Sequence, residues 1–580
     1  MSLSPAIDCS LPDQQRLLRC ARGEEPCDLV LKNGRVVNVF DGSIISADVG
    51  ICGSLIAGIG SYQGKKEQDL AGACLCPGFI EGHIHIESSM LSPARFAEVV
   101  VPLGTTTVVC DPHEIANVLG MDGISYMLAA AMHTPLDLFV VAPSCVPATH
   151  METSGASLSA DEIARLLDQE AIAGLGEMMN FPGTVFGDVE VLAKLRAACE
   201  RNMVIDGHAP GLRGLDLQAY CAAGISSDHE CTDLEEAREK LAAGMYIFIR
   251  EGSTAKNMEA LLPLVTPATS RRFVLVTDDR HVGDLLAEGH LDHILRRAVS
   301  LGLDPVTAVQ MVTINPAERF GLRMRGAIAP GYLADLVVVR DLSSFTISKV
   351  YKHGRPVKEP CQNRNNQPGH AASPTSSMHI DWDKVDFRLP ARTGENLIRV
   401  IGCVEHQIVT TAEQAVARVE KGLLVADPKR DLLKIAVIER HRASGNVGLG
   451  FVRGFGLKNG AIASTIAHDS HNLLVVGTDD ALMERVARLL DRAGGGIALV
   501  TPDSELVLPL PIGGLMSDEQ PEQIAAAVSE INTAAASAGI VVHNPFMLLS
   551  FLALPVIPSL KITDQGLIDV ESFATVSLWL

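Results

Sequence analysis

His83 and His85 stand one residue apart in the stretch LCPGFIEGHIHIESSM at residues 75–90. Side chains on a strand alternate with period two, so both imidazoles point to one side and can converge on one metal ion. In a chain with 18 histidines an isolated HxH also suits two solvated loop residues, so other ligands must decide. They come at intervals downstream: Asp111, His113 and Glu114 in CDPHE, Glu177 in GLGEMMNFPG, His208 in IDGHAPGL, His229 and Glu230 in SDHE, Arg250 and Glu251 in IREG, and Asp278 and Asp279 in VTDD. Four histidines with Glu177 and Asp278 make a full ligand set for a two-metal centre. Glu177 can bridge because a carboxylate has two oxygens. Two ions sharing a water lower its pKa towards neutrality and make hydroxide available as a nucleophile.

These residues are useful only if the fold gathers them. From about 74 to 315, short apolar runs alternate with helical patterns such as 160–169 and 233–243, which points to a parallel α/β fold. The runs fall at 75–80, 105–110, 138–143, 172–176, 203–205, 225–227, 246–249 and 273–277, and eight is the number for a (β/α)8 TIM-like barrel. Every run except the third leads into ionisable side chains. In a barrel the C-terminal strand ends form the active-site face, so these scattered residues are expected to meet in one pocket.

The flanks have a different texture. Residues 28–38 and 48–59 alternate apolar and other residues around turn signals, as do 326–340 and 347–357, so both flanks are expected to complete one discontinuous β-domain. A polar stretch rich in Pro, Asn and Ser begins at 358 and suits a linker. Beyond it, strand patterns at 432–439, 473–477 and 496–501 mix with helical ones at 481–493 and 519–538, an α+β composition. The expected division is 1–73 for an N-terminal segment and first β part, 74–322 for the barrel, 323–362 for the second β part, 363–378 for the linker and 379–580 for the C-terminal domain.

A chain of 580 residues with 47% hydrophobic content supports two or three domains with large cores. Lys and Arg total 48 against 69 Asp and Glu, a net charge of −21 without a basic run, which excludes a nucleic-acid footprint and favours a small-molecule substrate. The first 20 residues hold no uninterrupted apolar segment and the 13 cysteines follow no regular spacing, so a reduced, cytoplasmic protein is expected. Residues 541–560 are strongly apolar, yet Pro545, Pro555 and Pro558 with His543 and Asn544 would break a spanning helix. No membrane span is expected there. A segment buried under another domain, or at the subunit contact of a homo-oligomer such as a dimer, is expected instead.

The HxH pair, a histidine after each of the fifth and sixth runs and an aspartate after the eighth resemble the amidohydrolase superfamily, and the β flanks resemble its composite β-sandwich. The strings GHIHIESSM, CDPHEIANVLG, SCVPAT, GEMMNFPG, DGHAPGL, IREGS and TDDRH, with the distinct C-terminal domain, resemble the bacterial adenine deaminase family over nearly the whole chain. The resemblance implies conversion of adenine and water to hypoxanthine and ammonia, a purine-salvage reaction, at a dinuclear manganese or iron centre. It also implies that His83, His85 and Asp278 hold one ion and His208 and His229 the other, with Glu177 bridging. Many dinuclear members of the superfamily bridge with a carboxylated lysine after the fourth strand. Here Glu177 takes that place, and no lysine follows until Lys194. Imidazole and oxygen ligands without thiolate accept iron, manganese or zinc, and the resemblance favours manganese or iron.

Deamination at C6 of a purine needs a proton on ring nitrogen N1 and another on the departing amino group. Asp278 is placed to take the proton of the attacking water and return it to the leaving group. Asp111, His113, Glu114 and Glu251 are candidates for the second acid, and Ser88 and Ser89 join Asp111 and His113 as candidate substrate contacts. Each has a structural alternative: a turn at Asp111, helix capping by the serines, an ion pair at Arg250, and at Glu230 a carboxylate that orients His229. The HxE followed by PCxxC of nucleic-acid deaminases is missing, since Cys27 and Cys361 follow prolines but have no cysteine three residues on. A GxxxxGK[ST] phosphate loop is missing as well.

In the C-terminal domain, AHDSHN at 467–472 and TDD at 478–480 invite a second metal-site reading. Loops that cap helices or close over the barrel mouth are the stronger expectation, with His468, Asp469 and His471 covering the site. The Gly-rich residues 445–460 lack the strand and helix of a dinucleotide fingerprint and suit turns between strands. Two readings stand beside deamination: another hydrolysis of the same superfamily, such as cyclic amide cleavage or deacetylation, and a non-catalytic assembly protein. The intact ligand set argues against the latter.

Overall fold

The computed structural model describes residues 10–357, 377–404, 409–542 and 544–580, so most of the expected linker at 363–378, and His543, lie outside the described residues. Eight parallel strands follow the central runs: β1 (Phe79–Ile84), β2 (Thr105–Cys110), β3 (Asp137–Ala142), β4 (Ile172–Met178), β5 (Val204–Gly207), β6 (Ser227–Asp228), β7 (Tyr246–Arg250) and β8 (Phe273–Val276). β1 to β5 pair in order, as do β6 to β8. The Ser226 amide donates to the Ile205 carbonyl at 3.1 Å and the Asp278 amide to the His83 carbonyl at 3.0 Å, so both seams close and the sheet curls into a TIM-like barrel.

Local chemistry starts the intervening helices. Ser159 and Glu162 form a capping box ahead of Ala160–Leu167, and the Asp233 carboxylate accepts from the Glu235 and Glu236 amides at the start of Leu234–Ala242. Along β2, Val108 and Cys110 pack towards the helices and Val109 towards the barrel interior, the alternation a strand imposes. Ile80, Phe139, Val141, Phe248, Val274 and Val276 fill that interior with Val109. The barrel is therefore a packed core, and polar chemistry is left to the C-terminal strand ends.

The run at 75–80 divides, contrary to expectation. Cys74–Pro77 pairs antiparallel with Leu336–Val339 in a separate eight-stranded sheet, and the barrel strand begins only at Phe79. Gly78 makes the break, because a Cβ there would lie 2.2 Å from Thr106 Oγ1. Two apolar strands joined by one residue look like one strand in sequence. The separate sheet takes Leu29–Val37, Ile44–Cys52 and Leu55–Gly60 from before the barrel and Leu336–Val339 and Ile347–Lys352 from after it.

A buried ionic cluster ties this sheet to the barrel foot. Lys352 Nζ lies 2.8 Å from Asp137 Oδ2 and 2.7 Å from Asp335 Oδ2, and donates to the Thr106 carbonyl at 3.0 Å. Burial opposes charge on Asp137, but Lys352, His353 and Arg325 hold its carboxyl well below the usual carboxylate range. Lys352→Met leaves both acids buried without their ammonium partner and is expected to cost about 3 kcal/mol at neutral pH. Because the folded pKa of Asp137 is depressed, its contribution is present above about pH 4 and lost as pH falls through the folded value. Urea unfolding followed by far-UV circular dichroism should therefore separate the two proteins at pH 7 and bring them closer at pH 3. Equal midpoints at pH 7 would refute the assignment.

The C-terminal part builds an eight-stranded, mainly antiparallel sheet that includes Leu433–Ile438, Leu473–Gly477 and Gly496–Val500, with helix Asp480–Ala493 packed on one face. Its other face supplies Leu433, Ile435 and Leu474 to a core shared with Ile115 and Val118 of the barrel helix His113–Leu119. Within the apolar 541–560 stretch, helix Pro545–Phe551 ends against the barrel mouth. Among the described residues no helix is long and apolar enough to cross a membrane.

Candidate metal centre

β1 runs into His85, which is still extended (φ −104°, ψ 100°), so the alternation holds and both imidazoles join one cluster with ring centroids 5.0 Å apart. His85 Nδ1 lies 2.9 Å from the Asp111 carbonyl. A carbonyl only accepts, so Nδ1 carries a proton and Nε2 is the nitrogen turned towards the cluster. That atom lies 3.3 Å from Glu177 Oε1 and 3.2 Å from Asp278 Oδ1. His83 stacks on His229 with centroids 4.2 Å apart. On the other side, Glu177 Oε2 lies 2.8 Å from His208 Nδ1 and 3.1 Å from His229 Nε2.

Asp278 sits just past β8 in the left-handed region (φ 57°), which aspartate adopts more readily than most residues. Its amide donates to the His83 carbonyl and its carbonyl accepts from the His85 amide at 3.4 Å, so the barrel seam itself fixes the side chain. Oδ2 accepts from Arg250 Nη1 at 2.7 Å. Burial opposes ionisation of both acids. Against it, His229 and His208 hold Glu177 well below the usual carboxylate range, and His85 and Arg250 do the same for Asp278.

His83 Nε2 is buried and has no hydrogen-bond partner among the described residues. Burial and the neighbouring His229 keep this imidazole neutral, its pKa well below the ordinary value. A neutral, buried, unpartnered nitrogen is an atom that can serve a metal as ligand. Ligand atoms of His83, His85 and Glu177 lie within 4.8 Å of one another, as do those of Glu177, His208 and His229 and those of His83, His229 and Asp278. The set fits divalent metal, and no cysteine lines the cavity above it.

That cavity opens over the cluster at the C-terminal strand ends. His85, His113, Glu114, Glu177, His208, His229 and Asp278 line it, as expected from the strand ends. Four proposed contacts do not reach it. Asp111 turns beneath Glu177, where Oδ2 accepts from the Glu177 amide at 3.0 Å; Gly176 permits this, since a Cβ there would lie 2.2 Å from the same oxygen. Ser89 is fully buried and donates to the Ile86 carbonyl at 2.6 Å, because Ile86–Ser89 coils into a 3₁₀ turn. Ser88 donates to Asp279 Oδ1 and lines a neighbouring, mostly apolar cavity. Glu251 pairs with Arg297 Nε at 3.0 Å, away from the cavity.

Other groups enter the wall too, Glu230, Arg250 and Asp279 from the strand ends and His468 and Asp469 as the expected cover, while the apolar residues were not foreseen. Arg250 and Glu230 both line it and pair through Nη2 and Oε2 at 2.9 Å, while Glu230 Oε1 lies 3.4 Å from His229 Nε2. Asp279 lines it beside Asp278. Met179 with Phe551, Leu554 and Ile557 from the C-terminal domain makes an apolar side, and His468 and Asp469 close it from the same domain. Nothing in the period of residues 541–560 indicates which cavity they line. Asp479 of TDD caps helix Asp480–Ala493, its Oδ1 accepting from the Leu482 amide at 3.0 Å.

A curled parallel barrel with imidazoles and carboxylates gathered at its C-terminal strand ends defines a metal-dependent hydrolase of the amidohydrolase class. Residues 74–357 match the amidohydrolase family and residues 407–574 match the adenine deaminase C-terminal domain. The chain is 51% identical over 566 residues to the adenine deaminase of Desulfatibacillum aliphaticivorans, and 48% identical over 566 residues to that of Methanothrix thermoacetophila; each match covers 97% of this chain and 99% of the relative. The chain belongs to the adenine deaminase family.

Proposed function

We propose that this chain hydrolyses adenine to hypoxanthine and ammonia at a two-metal site. The observation that carries this reading is the placement of Glu177, whose Oε1 faces His85 at 3.3 Å while Oε2 faces His208 at 2.8 Å and His229 at 3.1 Å, as a bridging carboxylate must. His83, His85 and Asp278 would hold one ion and His208 and His229 the other. Manganese or iron suits these ligands, and zinc also fits them. Bound there, divalent ions supply Lewis acidity that lets water ionise near neutral pH.

Asp278 is the base. Held ionised beside Arg250, it takes one proton from the water that attacks C6 and hands it to the amino nitrogen as the C6–N bond breaks. Glu114 serves the ring. Burial opposes charge on His468, but Glu114, with Oε1 2.6 Å from His468 Nδ1, pushes its pKa up to about 9. The pair thus holds a proton at neutral pH that passes through Glu114 to N1 and is replaced when the C6 hydroxyl becomes a carbonyl. His113, 3.3 Å from Glu177 and 3.4 Å from Glu114, is the adjacent substrate contact. Phe551, Leu554 and Ile557 offer the planar base an apolar face.

The domain division given above, a homodimer and a cytoplasmic setting belong to the same proposal. The two matched families support the division, the exposed Phe186, Val189 and Leu215 support self-association, and the free state of every described cysteine supports a reducing compartment. Chelation is expected to abolish ammonia release, and manganese or ferrous iron to restore it. Among adenine, adenosine, cytosine, guanine and a hydantoin, adenine should be the preferred substrate. Preference for adenosine, or activity that survives metal removal, would overturn the proposal.

A further inference from the structure

Glu114 is gripped from the C-terminal domain. His471 Nε2 donates to Glu114 Oε2, across a separation of 357 residues, and His468 Nδ1 lies 2.6 Å from Oε1. All three side chains are buried. The tautomer of His471 follows from its other nitrogen: the Ala467 amide donates to Nδ1 at 3.1 Å, so Nδ1 holds the lone pair and Nε2 carries the hydrogen. With Nε2 protonated, His471 has no lone pair to give a cation at Glu114. The trio is therefore built as a hydrogen-bonded clasp, although its ligand atoms also lie within 4.8 Å of one another.

The loop that carries the two histidines is itself held from behind. The buried Arg440 donates through Nε to the His471 carbonyl, through Nη1 to Ser377 Oγ at 2.6 Å and through Nη2 to the Gly513 carbonyl at 2.9 Å. Asn472 Nδ2 donates across to the barrel, at the Thr153 carbonyl, at 2.8 Å. The His468 ring stacks on Phe551 with centroids 4.7 Å apart and planes 17° from parallel. A side chain used this way is locked by its own supports, which is what orientation of a catalytic carboxylate requires.

We propose that His471, assisted by His468, is a positioning residue that orients the Glu114 carboxylate, so that the C-terminal domain completes the catalytic site instead of only covering it. This rests on the role assigned to Glu114 above. The test compares H471N with H471Q in the metal-loaded full-length protein. Asparagine reaches the Nδ1 position, can accept from the Ala467 amide and tolerates the left-handed backbone at this residue (φ 53°), so the loop keeps its fold while the donor to Glu114 is lost. Glutamine extends an amide N–H to the Nε2 position. H471N is expected to lose about 10- to 100-fold in kcat with KM within about threefold and bound metal unchanged, and H471Q to recover most of that loss.

Wild-type kcat in H471N would overturn the proposal. Loss of a bound metal equivalent in H471N would overturn it too, by making the trio a third metal site. A second readout needs no turnover: nitrogen-15 spectra of histidine-labelled, zinc-loaded protein should show His471 as the Nε2–H tautomer, with a proton resonance that changes in Glu114→Ala. An Nδ1–H tautomer would overturn the clasp whatever the substrate. An Nε2–H tautomer with no ammonia from adenine would overturn the proposed reaction and leave the clasp standing.

Discussion

Asp278→Asn is expected to retain bound metal and to lose turnover by about 10²- to 10⁴-fold, the usual worth of a positioned proton carrier. Asparagine has nearly the same shape and keeps an oxygen that can face His85, as Asp278 Oδ1 does at 3.2 Å. The backbone bonds that lock this residue across the barrel seam, to His83 and from His85, involve no side-chain atom and persist. What disappears is the basic oxygen that accepts a proton from water, together with the charge that Arg250 balances at 2.7 Å. kcat should fall while KM stays close to its original value, because the substrate is not gripped through this group. Metal analysis and steady-state ammonia release measure the two halves separately. A near-normal rate would remove Asp278 from proton transfer, and lost metal would make it chiefly a ligand.

Glu177→Gln is expected to act at the earlier step and empty the site. Only a carboxylate can present an acceptor oxygen to His85 on one side and to His208 and His229 on the other; an amide turns N–H groups towards one of those sets. Bound metal should fall from about two equivalents to below one, and activity with it. The strand itself should survive, since the Glu177 amide still donates to Asp111 Oδ2 at 3.0 Å. Inductively coupled plasma mass spectrometry gives the metal content, and far-UV circular dichroism checks the fold. The variant should melt near the temperature of chelated wild-type protein, because binding that stabilises the folded state is lost in both. Full metal occupancy in this variant would rule out the bridging role.

Much of the barrel was legible because its signals are local. Strands buried on both faces read as apolar runs, helix starts carry their own caps, and the residue after each strand end is known once the strand is known. His83, His85, Glu177, His208, His229 and Asp278 were found this way. The misread run at 75–80 shows where locality stops, since Gly78 alone joins two apolar strands that belong to different sheets. CDPHE shows the same limit on a finer scale. His113 and Glu114 face the cavity, whereas Asp111 turns under Glu177 to satisfy a buried amide, and only the three-dimensional neighbour decides which.

The sequence by itself therefore determined the succession of barrel strands, the types of the candidate ligand residues and their convergence at one face, since each follows from periodicity and from the geometry of parallel strands. Tertiary structure alone decided the apolar side of the cavity. His468 and Asp469 were expected over the site from the AHDSHN string, whereas Phe551, Leu554 and Ile557 lie hundreds of residues from the barrel residues they join, in a stretch whose local pattern carries no address. Their placement comes from packing of the C-terminal sheet on the barrel helix His113–Leu119 and from the Arg440 hydrogen bonds that hold the loop. Such contacts depend on surfaces that exist only after both parts have folded, so neighbouring residues along the chain cannot encode them.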